Sequence, residues 1–241
     1  MLTKNHIKLI TSLKQKKFRT QYNMFVVEGV KGIREFLNSS FELHQLFSVE
    51  NVFDIEFISI SEKELQRISN LKTPNKAVAI FRISEGFKIN PEGLSIALDD
   101  VRDPGNLGTI IRLCDWFGIE NLICSKATVD CFNPKVVQAT MGSLTRVNVN
   151  YVDLESCIKA YDKAIYGAFM NGENIYQSTL PNEGLVVFGN EANGISSSIE
   201  KLVTHKIAIP RFGKIKVTES LNVATATAIV LSEFRRSSTE M

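Results

Sequence analysis

No apolar run in the 241 residues approaches the ~20 needed to span a bilayer, so a helical integral membrane protein is excluded. The first residues, MLTKNHIKLITSLKQKKF, lack the apolar block and small-residue cleavage site of a secretory signal. Cytoplasmic residence is the expectation. Cysteine is scarce: Cys114, Cys124, Cys131 and Cys157 form no CxxC pair, and His6, His44 and His205 are scattered. That excludes a disulfide framework and leaves no metal-ligand cluster, so reduced thiols and no metal are expected. Neither GxGxxG nor GxxxxGK[ST] occurs, which removes the dinucleotide fingerprint and the P-loop. Internal repeats and low-complexity tracts are also missing.

What is present is ordinary globular composition, 44% hydrophobic and 22% charged. The net charge of +2 hides a strong asymmetry. Residues 1–35 carry eight cations (Lys4, Lys8, Lys14, Lys16, Lys17, Arg19, Lys31, Arg34) against two anions (Glu28, Glu35). Such a segment suits a polyphosphate partner, since each neutralised phosphate releases counterions. A solvated helix face that keeps the protein soluble is the alternative.

The chain reads as an α/β protein of two units. Gly86, Pro91 and Gly93 collect in a polar stretch, giving a domain over 1–84, a linker over 85–93 and a second domain over 94–241. In the first, Ile7, Leu9, Ile10 and Leu13 mark a basic helix, MFVVEG a buried strand, and Ser61 with Glu64 a capping box. Strands alternating with helices predict a small, mainly parallel sheet. In the second, strands are predicted at 94–99, 119–124, 145–149, 163–169, 185–189 and 205–209. Helices are predicted at 108–117, 133–140, 153–161, 196–202 and 221–236. Near-continuous apolar strands between helices predict a parallel sheet buried on both faces.

Three segments carry more than a sheet needs, each just after a predicted strand, where open α/β sheets bind ligands. In the first, DPGNLGTIIR (103–112), Pro104 and Gly105 predict a turn and Thr109 a helix cap. Arg112 would then lie one turn inside a helix, against its macrodipole, which points to a task with an anion or a reacting oxygen. An ion pair with a nearby aspartate is the alternative. In the second, FGNEANGIS (188–196), Glu191 stands between two glycines at a strand's end, where a plain strand-to-helix turn is the alternative. In the third, IAIP (207–210) leads to ESLNVATATAI (219–229), with Ser220 as predicted cap and Asn222 in the first turn. A well-capped amphipathic helix explains its alanines but not its Ser-Leu-Asn opening.

Together, in this order and spacing, these segments resemble the three signature motifs of the SpoU (TrmH-like) branch of the SPOUT RNA methyltransferases, over roughly residues 94–236. NPKVVQATMGSLTRV (133–147) resembles a helix-and-turn segment between the first two motifs, and FVVEGVKGIREFL is typical of the family's small N-terminal domain. The resemblance implies a C-terminal SPOUT trefoil-knot domain preceded by a ribosomal-protein-like α/β RNA-binding domain. It implies an enzyme that moves a methyl group from S-adenosylmethionine to a ribose 2′-hydroxyl, in ribosomal RNA rather than tRNA, and a homodimer with the site completed at the interface.

The resemblance also implies roles. Arg112 would contact ribose and phosphate and assist loss of the 2′-proton, an odd task for so weak an acid as a guanidinium. It could equally stabilise an alkoxide while a phosphate takes the proton. Asn106 and Glu191 would hold Arg112 and the loops, and Ser220 and Asn222 would complete the hydrogen bonds. Phe188, Gly189, Ile209 and Leu221 would border the adenine. Lys14, Lys16, Lys17 and Arg19 would contact RNA. The 210–219 loop departs from the family in being longer than in many relatives, and its added cations Arg211, Lys214 and Lys216 are expected to help grip RNA. A tRNA 2′-O-methyltransferase, or a non-catalytic RNA-binding or ribosome-assembly factor of the same fold, are the competing readings.

Overall fold

The computed structural model describes residues 1–83, 92–213, 215 and 220–236. Most of the predicted linker, together with Lys214, Lys216, Thr218 and Glu219, lies outside them. The elements run α1 (Lys4–Ser12), α2 (Lys16–Tyr22), β1 (Met24–Glu28), α3 (Val30–Leu37), β2 (Leu43–Ser48), β3 (Ile58–Ser59), α4 (Glu62–Ile68) and β4 (Ala77–Arg82). They continue through β5 (Leu94–Leu98), α5 (Pro104–Trp116), β6 (Asn121–Ser125), α6 (Pro134–Thr140), β7 (Asn148–Val152) and α7 (Leu154–Lys159). Last come β8 (Ile165–Asn174), β9 (Gly184–Phe188), α8 (Ser197–Glu200), β10 (His205–Ala208) and α9 (Val223–Arg236). Contacts divide the chain into Met1–Glu85 with Asp130–Thr145, and Gly86–Val129 with Arg146–Met241.

The first unit holds a four-stranded sheet in the order β1-β4-β2-β3. It corrects the predicted parallel sheet: β4 pairs antiparallel with both β1 and β2, and only β2–β3 is parallel. The crossover through α3 does bring β2 back in the direction of β1, as a helical connection requires. The last strand then inserts between them, a split βαβ arrangement that alternation alone does not reveal. Ser61 caps α4 with the reciprocal Glu64 bond, as its spacing predicts.

Asp130–Thr145, which falls between the first two motifs in sequence, packs in this unit. Phe132 lies 4.7 Å from Phe25, within a cluster that includes Phe36, Phe41 and Phe81. Asp130 takes two hydrogen bonds from Arg19, at 2.9 and 2.5 Å.

The second unit is a six-stranded, wholly parallel sheet ordered β10-β8-β9-β5-β6-β7. Its central strands, LSIAL and GLVVF, are buried along their whole length, as strands covered on both faces must be. The segment predicted as a strand at 145–149 begins later, because Ser143–Thr145 forms a 3-10 turn. β8 runs past the predicted 169 to Asn174. Its pairing with β10 jumps from Gly167 to Glu173, so residues 168–172 leave the ladder.

Candidate functional site

The site lies wholly in the second unit, where the segments after β5, β9 and β10 meet at the carboxyl ends of their strands. Two of the three motif helices begin elsewhere than predicted. α5 starts at Pro104, capped by Asp103, whose Oδ1 accepts the Asn106 backbone N–H at 2.8 Å. Pro104 therefore takes the first helical position, where its missing N–H costs nothing, instead of making a turn. Thr109 is not a cap; its hydroxyl donates to the Gly105 carbonyl. Arg112 is thus the ninth helical residue, not one turn in, and the helix-dipole argument for its role falls away.

At α9 the cap is Asn222, not Ser220. Its Oδ1 accepts from the backbone N–H of Ala224 and Thr225, at 3.0 and 3.2 Å. This fixes the amide's orientation: with the oxygen committed to the helix, Nδ2 points away and donates to Asn106 Oδ1 at 2.9 Å. Asn106 then has only its own Nδ2 left to give, and it donates to Glu191 Oε1 at 2.8 Å. One directed chain of hydrogen bonds therefore ties the three motifs across sequence separations of 116 and 85 residues. A second clamp joins the end of β5 to the second motif. Asn190 Nδ2 donates to the carbonyl of Asp100, a residue in the left-handed region at φ 61°, and Asp99 accepts the Ser196 N–H.

Beside these lies a cavity of about 920 Å³. Phe188, Gly189, Ile209 and Leu221 all line it, with Glu191, Ser220 and Arg211. Gly189 cannot be another residue. A Cβ there would stand 2.1 Å from the backbone of Gly194 and Ile195, so the turn of the second motif folds flush against it. Sequence reasoning missed Ala168, Phe169 and Met170, which form another wall. The signal was Gly172, a glycine inside a strand, which marks a bulge or a close backbone approach: a Cβ there would stand 2.6 Å from the Lys206–Ile207 backbone of β10, where the pairing shifts register.

Arg112 joins neither the chain nor the cavity lining. Its side chain is exposed and, among the described residues, makes no hydrogen bond or ion pair. The aspartates that could have neutralised it are engaged elsewhere: Asp100 with Arg102, Asp103 as cap, Asp115 with Arg146. Asp100 accordingly raises the pKa of Arg102, chiefly through the hydrogen bond. Of the predicted RNA contacts, Lys14, Lys16 and Lys17 are exposed in the first unit. Arg19 is not. It is 2% exposed, pairs with Asp130 and donates to the carbonyls of Leu13 and Lys14. That corrects its assignment: the guanidinium holds the break between α1 and α2.

Residues 93–232 match the SpoU rRNA Methylase family. The chain belongs to it. Residues 4–79 match the MRM3-like substrate binding domain. Among full-length relatives, the Bacillus subtilis 23S rRNA (guanosine(2553)-2′-O)-methyltransferase RlmP is 28% identical, over 92% of this chain and 93% of that one. Two solved structures are similar throughout. A TrmH-family putative RNA methyltransferase from Porphyromonas gingivalis is 37% identical with a TM-score of 0.88, covering 98% of this chain and 99% of the other. The AdoMet-bound rRNA methyltransferase from Sinorhizobium meliloti is 30% identical with a TM-score of 0.87, covering 98% and 96%. Of the SpoU motifs read from the sequence, the second and third line the cavity, and Asn106 ties the first to both.

Proposed function

We propose that this protein is an S-adenosylmethionine-dependent methyltransferase acting on ribose 2′-hydroxyls of ribosomal RNA. The observation that carries this is the Asn222–Asn106–Glu191 chain, which binds three distant motifs into one frame beside a cavity of cofactor size. Ligand sites of ~300–1,000 Å³ with apolar walls and a few fixed polar groups are the common pattern. The fit to a nucleoside with a short polar tail is good. Phe188, Ile209 and Leu221 offer apolar contact, and the tight second-motif turn holds the polar lining residues Glu191 and Asn193 at the rim.

S-adenosylmethionine, when bound there, supplies the methyl group. The protein's task is to present the ribose oxygen in line and to manage its proton. Arg112 holds the ribose and its phosphate and stabilises the 2′-oxygen as the proton departs, since a guanidinium stays charged and donates in a fixed fork. Asn106, Glu191, Asn222 and Ser220 keep the loops in register. In this reading the C-terminal segment is threaded as a trefoil knot, and the narrow helix running from Val223 through Ala224, Ala226 and Ala228 suits passage through a loop.

The acting species is a homodimer. Thr109, Arg112 and Trp116 share one exposed stripe of α5, and Trp116 is 83% exposed. A second copy would cover that stripe and bring Arg112 to a completed site. RNA is gripped by Lys14, Lys16, Lys17 and Arg211. The protein works in the cytoplasm; its four cysteines are thiols, as suits a reducing compartment. Among the described residues no helix is long and apolar enough to cross a membrane.

Calorimetry with S-adenosylmethionine, followed by methyl transfer to rRNA by wild type and Arg112→Ala, tests the reading. The variant is expected to bind the cofactor normally and to lose about 100- to 1,000-fold in rate. A protein that binds no cofactor would instead be the non-catalytic assembly factor.

A further inference from the structure

Five large apolar side chains stand out in solvent around one feature, the mouth of the cavity. Met170, Ile215 and Leu221 line it while remaining 55%, 82% and 49% exposed. Phe212, 83% exposed, is the chain neighbour of the lining residues Arg211 and Gly213, and its ring stacks on that of Tyr176. The ring centroids are 6.5 Å apart with 30° between the planes. Covering no core, this pair gains little from folding.

The pair has a built base. Asn174 accepts the Tyr176 N–H at 3.1 Å, closing a short turn over Ile175–Gln177, and Ile175 is wholly buried beneath it. The buried neighbour anchors the turn and leaves the tyrosine ring facing out. Beside the rings, the Arg211 guanidinium donates to Met170 Sδ at 3.4 Å across the mouth. A flat aromatic surface with a cation at its edge matches the two parts of a nucleotide that every sequence shares, the π-face of the base and the phosphate.

We propose that Tyr176 and Phe212 form a stacking platform for an unpaired RNA base at or next to the methylated nucleotide, with Arg211 contacting its phosphate. This rests on the reading of the cavity as the methyl-donor site on an RNA-modifying enzyme, because the acceptor ribose must then reach that mouth. Recognition through a π-face tolerates any base, so the platform selects single-stranded over paired RNA and leaves sequence to other contacts.

The test uses the full chain and a fluorescein-labelled, mixed-sequence single-stranded oligoribonucleotide, with a duplex of equal length as control. Phe212→Ala and Tyr176→Ala are expected to weaken single-strand binding about tenfold each. Duplex binding and S-adenosylmethionine affinity should stay at wild-type values, and Phe212→Trp should bind the single strand as wild type does. Unchanged single-strand affinity in the alanine variants overturns the proposal, as does a wild type that does not bind the oligonucleotide. Loss of cofactor affinity, with or without RNA loss, also overturns it, by making the rings a cover for the cofactor. Absence of methyl transfer by the wild type would strike the functional reading separately, because the binding assay does not depend on turnover.

Discussion

Asn106 sits between a donor and an acceptor, and its neighbours dictate which end faces which. Asn222 cannot turn its amide without unmaking the α9 cap, so Asn106 must accept from it and donate to Glu191. Asn106→Asp keeps the shape and removes the donor, setting two carboxylates against each other. Like charges raise one carboxyl's pKa. The variant should therefore lose on the order of 100-fold in methyl transfer near neutral pH through misplacement and recover part of it as pH falls and the shared proton returns. A flat loss at every pH would mean that Asn106 acts otherwise. Arg19 poses the opposite case, a cation read from sequence as a surface contact. Its 3% exposed side chain faces a 13% exposed Asp130. Removing one partner of such a pair costs about 3–5 kcal/mol. Arg19→Ala should thus appear in thermal or urea unfolding, and an unchanged transition would refute the buried pair. Charge counting saw the residue but could not see the aspartate 111 positions away.

At the scale of the element, strands and helices were legible because periodicity reports burial directly. β5 and β9 fall within a residue of their predicted spans. Helix starts were less legible, since each motif offers several cap candidates close together. Asp103 and Asn222 took the caps predicted for Thr109 and Ser220. The correction removes the electrostatic reason for singling out Arg112 and leaves a better one, a cation on α5 with every nearby aspartate engaged. Strand order in the first sheet was not legible at all, because the register of β4 depends on contacts rather than on alternation. Gly189 gives the sharpest element-scale prediction. Gly189→Ala drives a methyl into the Gly194–Ile195 backbone, which has no flexible end to move aside. The second-motif turn should open, with S-adenosylmethionine affinity lost before global stability. Calorimetry beside a melting curve checks this, and normal affinity would contradict the packing.

At the scale of the whole molecule, the sequence divides its work between a basic N-terminal unit and a C-terminal unit that holds the motifs. Composition could place both, but the segment 130–145 had to be folded to be assigned, since Phe132 and Asp130 find their partners in the first unit. Association belongs to this scale too. For the homodimer proposed above, Trp116→Glu should leave the fold intact by circular dichroism, give a monomer by light scattering and abolish methyl transfer. A variant that remains dimeric would remove the α5 stripe from the interface. Ribose methylation is tested most directly by incubating ribosomal RNA with the protein and S-adenosylmethionine carrying a labelled methyl group, then digesting the RNA with alkali. Label is expected in alkali-resistant dinucleotides, the mark of a methylated 2′-oxygen, and should be lost with Arg112→Ala. Label released with single nucleotides, or label retained in full by that variant, would contradict that expectation.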